Sequence, residues 1–270
     1  MSHDLPLVRE MRALLQTRRF ARTVRGYQTL DSTNTTAMRW AHEGAEEGSI
    51  VIAEHQTAGR GRQGRAWEAA AGQNLMFSVV LRPALSPSRL NVITLAASIA
   101  LAETIETFTA PLTTAIKWPN DILLEGYKCC GMLLESTLAG AARPLVILGI
   151  GINVNQPDFP PALEHRATSL LLQTGRRTPR AALLSDLLGR LEQYYDGLGT
   201  KQEAAVHTAY RNRLYRLGHP ITLRLTEQDH PLTGTLLGVT DTGALRLDTD
   251  QGIRIFHAGD VTLDFRSAKI

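Results

Sequence analysis

The sequence predicts an α+β protein, with helices packed on a sheet and a smaller all-β region at the C-terminal end. Three observations predict it. Apolar runs at 49–55, 74–82 and 144–155 read as buried strands. Residues 87–108, carrying Leu95, Ala96, Ile99, Ala100 and Ala102, form an apolar stretch too long for a strand, and read as a helix lying on a sheet. After Gly218 the texture changes to short alternating runs at 221–225, 232–239, 244–247, 253–256 and 261–265, separated by Gly and Asp turns. That pattern fits a small β-barrel of about five strands. The chain accordingly divides into residues 1–217 and 218–270.

Taken in order, residues 5–19 can form a short helix that ends before Arg25-Gly26-Tyr27, which leaves no room ahead of residue 30 for a helix-turn-helix domain. Asp31 or Ser32 can cap the next helix, which carries Ala37, Met38, Trp40 and Ala41. Capping accounts for one of these residues, but not for Ser32, Thr33 and Asn34 together; such a set can bind a neutral polar ligand. The strand at 49–55 delivers Gln56 to the start of a glycine- and arginine-rich loop. Residues 113–117 lead into Trp118-Pro119-Asn120-Asp121, a turn by its Pro-Asn-Asp chemistry. Residues 122–124 and 128–137 then read as a hairpin across Glu125-Gly126. The strand at 144–155 contains Gly149-Ile150-Gly151-Ile152-Asn153, the proline-rich 156–165 reads as a mobile loop, and 180–198 and 202–217 read as helices.

Composition narrows the function classes. At 270 residues the chain can bury a full core and hold one large and one small domain. A formal charge of +3 gives no ground for general nucleic-acid or membrane binding. No signal peptide and no uninterrupted apolar run of membrane-spanning length is evident. The two cysteines, Cys129 and Cys130, are adjacent. Neighbouring Cα atoms lie about 3.8 Å apart, below the usual disulfide span of about 4.4–6.8 Å. A reduced pair in the cytoplasm is the simple reading, and two cysteines without clustered histidines do not make a zinc site.

The loop at 58–67 carries Gly59, Arg60, Gly61, Arg62, Gly64, Arg65 and Trp67. Its glycines let the backbone approach a ligand, and its arginines offer planar, permanently charged forks for carboxylate and phosphate. A run this cationic and flexible should order only when an anion arrives. Gly59, Gly61 and Gly64 also spell the dinucleotide fingerprint, which needs a helix after the glycines and an acid about 20 positions on. Here Gly72 intervenes, 75–81 reads as another strand, and 81–85 holds no acid. Lys128 sits just past the hairpin turn, on a strand face shared with Cys130 and Met132, with Gly131 leaving space for close approach. A lysine among apolar neighbours is more often a snorkelling surface residue; the Trp-Pro-Asn-Asp turn before it and the arginine loop favour a site. The eight histidines are scattered and no Ser-His-Asp arrangement is evident, which points to positioning and charge stabilisation rather than histidine acid–base catalysis.

In order and spacing, Ser32-Thr33-Asn34, the loop from Gly59 to Trp67, Lys117-Trp118-Pro119-Asn120-Asp121, Lys128 with Gly131, and the strand from Gly149 to Asn153 resemble the motif set of the biotin protein ligases. The resemblance is strong over residues 30–155, looser to the C-terminus, and closest to the short class without an N-terminal DNA-binding domain. It implies a mixed-sheet catalytic domain of the biotin/lipoate ligase type and a C-terminal SH3-like β-barrel. It also implies biotin, ATP and Mg²⁺, a biotinyl-5′-adenylate intermediate, and a biotin carboxyl carrier protein or domain as acceptor. By the same resemblance Ser32, Thr33 and Gln56, with backbone groups near Gly131 and Gly149, would take the ureido ring, and Asn34, Gly59 and Gly151 would also belong to the biotin site. Arg60 and Arg62 would close over the carboxylate and α-phosphate, and Arg65 would reach the outer phosphates. Lys128 and Arg62 would be catalytic, Asn120 and Asn153 would serve nucleotide and metal, and the metal ligands stay unassigned. Trp67 and Trp118 would wall the pocket, with plain core packing the alternative for each.

A lipoate or octanoate ligase or transferase shares this implied fold but would need a long apolar tunnel. A biotin-responsive repressor would need a winged helix before residue 30. A pure biotin-binding module would not need Arg65, Asn120 and Asn153. The expectation is a cytoplasmic enzyme, monomer or homodimer, that binds neither DNA nor membrane.

Overall fold

A computed structural model describes residues 5–137, 143–225 and 230–262. Its elements in chain order are α1 (Pro6–Leu14), β1 (Val24–Leu30), α2 (Thr33–His42), β2 (Ile50–Gln56), β3 (Leu75–Leu81), α3 (Val92–Thr109), β4 (Thr114–Lys117), β5 (Asp121–Leu124), β6 (Tyr127–Thr137), β7 (Leu145–Ile152), α4 (Leu170–Thr174), α5 (Arg180–Gly197) and α6 (Glu203–Arg213). After these come β8 (Pro220–Arg224), β9 (Leu232–Val239), β10 (Leu245–Thr249), β11 (Gly252–Phe256) and β12 (Asp260–Thr262). Seven strands form one sheet in the order β1-β2-β3-β7-β6-β5-β4. Only β1 and β2 run parallel, so the sheet is mixed. The C-terminal strands form a separate antiparallel sheet in the order β11-β10-β9-β8-β12.

The two faces of the main sheet are covered differently, and that difference makes the site. On β7, Val146, Leu148, Ile150 and Ile152 join the large core shared with α3 and α5, while Leu145 and Ile147 face the smaller cluster under α2. Both faces are therefore apolar, which is why β3 and β7 read as continuous runs rather than alternating ones. Continuing along the α2 face, β7 presents Gly149 and Gly151, and β6 presents Gly131 opposite Gly151. Where α2 stops covering the sheet, side chains stop as well, and a hollow opens over bare backbone.

Several expectations shift. The N-terminal helix ends at Leu14 rather than Arg19, and α6 ends at Arg213, after which Tyr215 N donates to Ile116 O. Residues 24–30, read as the sequel to a helix, form β1. This is an edge strand whose Arg25, Gln28 and Thr29 leave no apolar period to read. The segment following the proline-rich stretch docks on β6: Lys128 N donates to Arg166 O and Thr168 N to Lys128 O. Trp118 is 3% exposed and its indole N–H donates to Gly243 O at 3.0 Å, joining the two sheets. Core packing is thus its role, as the plainer of its two readings had it.

Candidate active site

The loop between β2 and β3 folds back on itself, with Gly61 N donating to Arg65 O and Trp67 N to Gly59 O. Gly64 has φ +71°, and a Cβ on Gly59 would stand 2.7 Å from Trp67 O. These two positions require glycine. Gly61 does not, since an added Cβ would meet nothing closer than Arg65 O at 3.5 Å. The loop roofs a cleft of about 670 Å³ whose floor is the glycine-bare end of β6 and β7. Ser32, Thr33, Asn34, Gln56, Arg60, Arg62, Arg65, Trp67, Asn120, Lys128, Gly131, Gly149, Gly151 and Asn153 all line it. Gly59 and Gly64 stand behind the wall, shaping the loop, and Trp118 lies in the core.

The polar end lies at the start of α2. Ser32 caps that helix by accepting from Thr35 N. Gln56 Oε1 accepts from Thr33 N at 2.7 Å. Asn34 lies flat on the sheet, so that a Cβ on Gly149 would stand 2.1 Å from its Oδ1. The hollow at Gly149 is filled by the Asn34 amide. The Asn34 Nδ2 group is committed to Glu135 Oε2 at 2.7 Å and Leu133 O at 3.3 Å. Asn34 thus lines the cleft with its amide held by Glu135 and the Leu133 carbonyl.

The cationic end centres on Lys128, and here the strand departs from simple alternation. Ile122 pairs with Cys130 but Leu123 pairs with Lys128, so Cys129 is an extra residue in a β-bulge. The bulge turns Lys128 to the same side as Gly131, whose added Cβ would stand 3.2 Å from Lys128 Nζ. Cys130 and Met132 belong to the buried core instead. The expected face shared by Lys128, Cys130 and Met132 is therefore wrong. Burial raises both thiols, Cys129 to about 12.

Lys128 Nζ lies 2.7 Å from Asp121 Oδ1, and Lys117 Nζ 3.2 Å from Asp121 Oδ2. Burial alone would push the Asp121 carboxyl up, but the two ammonium groups more than offset it and hold it below its ordinary range. Trp67 lies over Gly151, whose added Cβ would stand 2.5 Å from its ring, and Lys128 Nζ is 5.7 Å from the Trp67 ring centroid. Every loop arginine has a carboxylate partner. Arg60 pairs with Glu135 at 3.1 Å, Arg62 with Asp260 at 3.3 Å, and Arg65 also with Asp260. Burial lowers the Arg62 pKa, and Asp260 and Asp121 act against that. Asn120 Nδ2 donates to Met132 O, and Asn153 Nδ2 to Thr168 O. The Asn153 Oδ1 and Trp67 Nε1 atoms are buried without a partner.

Sequence reasoning missed four contributors. Asp121 was in view but read as turn chemistry. Asp260 lies 195 residues from Arg65 and left no local signal. Ser78 and Glu135 were strand residues among others. No group of three or more His, Cys, Asp or Glu that could hold a metal occurs among the described residues. The cleft joins neutral donors and acceptors at the start of α2 to a cationic lining that includes Arg62, Arg65, Lys117 and Lys128, with Arg60 reaching back to Thr35 and Glu135. It suits a ligand with an uncharged polar head and an acidic tail that meets a second anion.

Residues 26–153 match the model of the Biotin/lipoate A/B protein ligase family, and residues 217–264 that of the Biotin protein ligase C terminal domain. The chain is 36% identical over 239 residues to the biotin–[acetyl-CoA-carboxylase] ligase of Paracoccus denitrificans, covering 86% of this chain and 96% of that one. It is also 36% identical over 239 residues to the bifunctional ligase/repressor BirA of Bacillus subtilis, covering 88% and 73%. Among solved structures, a biotin protein ligase from Aquifex aeolicus in complex with biotin and ATP superposes with a TM-score of 0.77. That likeness has 28% identity and covers 89% of this chain and 98% of that one.

Proposed function

The chain belongs to the biotin protein ligase family, and we propose that the cleft under the arginine loop is where its two substrates, biotin and ATP, react. The activity is ATP-dependent biotin–protein ligation. A biotin carboxylate oxygen attacks the α-phosphorus of ATP, the bond to the β-phosphate oxygen breaks, and pyrophosphate leaves. A lysine amine of a biotin carboxyl carrier domain then attacks the biotinyl carbonyl, AMP leaves, and the amine loses its proton as the amide forms.

In this reading Thr33 and Gln56 take the ureido ring and Trp67 covers the bicyclic body. Lys128 and Arg62 stand at the carboxylate and the α-phosphate, where two anions must approach each other. Fixed cations lower that repulsion without reorganising during the reaction. Arg60 and Arg65 exchange their carboxylate partners for ligand oxygens, and the closed loop keeps water from the adenylate. Mg²⁺ would arrive with ATP. Such an ion keeps several waters and binds largely through substrate phosphates, and the buried, unpartnered Asn153 Oδ1 is an oxygen of the cleft that would join it.

We also set the domain boundary at 217/218, because Gly218 N is the first backbone N–H to donate to the second sheet, bonding Leu236 O at 2.8 Å. The assignment to the cytoplasm rests on the buried free thiols Cys129 and Cys130, which suit a reducing compartment. The chain is read as binding no DNA, its acceptor being a carrier domain.

The observation that carries the reading is that one cleft brings the Ser32-Thr33-Gln56 group and the Lys128-Arg62 pair together. The test is incubation with ATP, Mg²⁺ and either biotin or lipoate, followed by mass spectrometry of the acyl-adenylate. Biotinyl-adenylate should dominate by roughly 10⁴, since a site built to hydrogen-bond a group rejects analogues lacking it. Comparable amounts of lipoyl-adenylate would contradict the reading.

A further inference from the structure

Beneath the polar end of the cleft runs a chain of side chains that the reaction does not touch. Ser78, on β3, is fully buried, with its hydroxyl 2.6 Å from Asn34 Oδ1 and 2.8 Å from Thr33 Oγ1. Asn34 Nδ2 faces Glu135 and the Leu133 carbonyl, both of which can only accept. That fixes the Asn34 amide with its oxygen toward Ser78. An amide oxygen cannot donate, so the single Ser78 proton goes to Asn34. The Thr33 proton then has two internal acceptors, the Ser78 oxygen at 2.8 Å and Gln56 Oε1 at 3.1 Å. In either arrangement Thr33 turns only lone pairs toward the cleft. Gln56 is fixed by the same logic, because its Oε1 meets the Thr33 N–H. Its Nε2 protons are left to the ligand.

We infer that Ser78 and Glu135 are positioning residues that set the direction of the hydrogen bonds in the floor and thereby select a ligand head carrying an N–H beside a C=O. The inference rests on the reading that the biotin ring binds at Thr33 and Gln56. Glu135, paired with Arg60 at 3.1 Å, anchors the direction at one end, Ser78 passes it on, and Thr33 and Gln56 present one acceptor and one donor group. An isosteric head with oxygen in place of the N–H would set two acceptors against each other.

The test uses the full chain, biotin, and the two cyclic-carbamate analogues in which one or the other ring N–H is replaced by oxygen. Calorimetry on the wild type should show one analogue binding about 10²-fold more weakly than biotin, the cost of an unmatched buried acceptor. Ser78→Ala removes the nearer of the two internal acceptors of the Thr33 proton, leaving only Gln56 Oε1 at 3.1 Å, so the hydroxyl turns its proton toward the cleft when a ligand acceptor offers the better bond. Biotin should then bind about tenfold more weakly and that analogue no more weakly than before, so that discrimination falls at least tenfold. The KM for biotin in adenylate formation should rise while kcat stays near the wild-type value. An equal loss for both ligands would mean that Ser78 only supports the fold, and would overturn the inference. A wild type that binds both analogues as tightly as biotin would overturn it without any variant, which also decides the matter if Ser78→Ala does not fold. No heat with biotin itself would instead overturn the functional reading and the inference with it.

Discussion

Lys128 Nζ and Asp121 Oδ1 stand 2.7 Å apart, on two strands joined by a tight turn and offset by a bulge. The pair is asymmetric in surroundings: the Asp121 side chain is 9% exposed and that of Lys128 34%. Asp121 is buried scaffold, and Lys128 is the end of it that reaches the cleft.

Asp121→Asn tests that scaffold. It leaves Lys117 and Lys128 without their shared anion, so adenylate formation should fall about tenfold or more as the ammonium loses its fixed position. The stability change should depend on pH in a defined sense. The folded Asp121 carboxyl lies below its ordinary value. Its contribution is therefore complete above the ordinary carboxylate range, near pH 4, and is lost as pH falls through the lowered folded value. Melting curves of wild type and variant should differ by a constant amount between about pH 8 and 5, and converge below about pH 4. A difference that grows on acidification would contradict the pairing.

Two glycine substitutions separate the roof from the floor. An added Cβ at Gly151 would stand 2.5 Å from the Trp67 ring, which belongs to a loop that can yield. Gly151→Ala should weaken biotin binding with little change in melting temperature. At Gly149 the obstacle is Asn34 Oδ1 at 2.1 Å, part of the buried network. Gly149→Ala should cost stability as well, on the order of 1–3 kcal/mol for an overpacked site. Calorimetry beside a thermal melt distinguishes the two.

Loop ordering gives a third prediction. Asp260 holds Arg62 and Arg65 from the second sheet. Asp260→Asn should speed amide exchange over residues 58–66 in the free protein, and saturating biotin with ATP should protect the same residues in both proteins. Equal exchange in this segment with and without ligands would contradict a loop that closes on them. Within the loop, Gly64→Val should be costly because φ is +71°, whereas Gly61→Ala should be mild.

Much of this was legible in the sequence, for physical reasons. β2, β3 and β7 are buried on both faces and so announce themselves as apolar runs. The hairpin at Glu125-Gly126 was readable from turn chemistry, with both residues at positive φ. β1 was hidden because an edge strand carries polar side chains. Lys128 was found, but its face was misread, since the bulge at Cys129 depends on pairing with β5 and no local pattern encodes it. Asp260 and Ser78 act through contacts made only after the chain has folded, and their types alone say nothing.

The most direct test of the central claim, that a fixed ammonium at Lys128 drives adenylate formation, is single-turnover adenylate formation by Lys128→Met beside Lys117→Met, with a thermal melt for each. Lys128→Met keeps the apolar stem and removes the charge. Its rate should fall by roughly 10²–10³, the usual cost of removing one preorganised electrostatic contact, with near-normal folding and weakened biotin affinity. Lys117→Met leaves Asp121 paired with Lys128 and should cost far less. Wild-type adenylate formation by Lys128→Met would mean that the ammonium is only solvated surface, and would contradict the account.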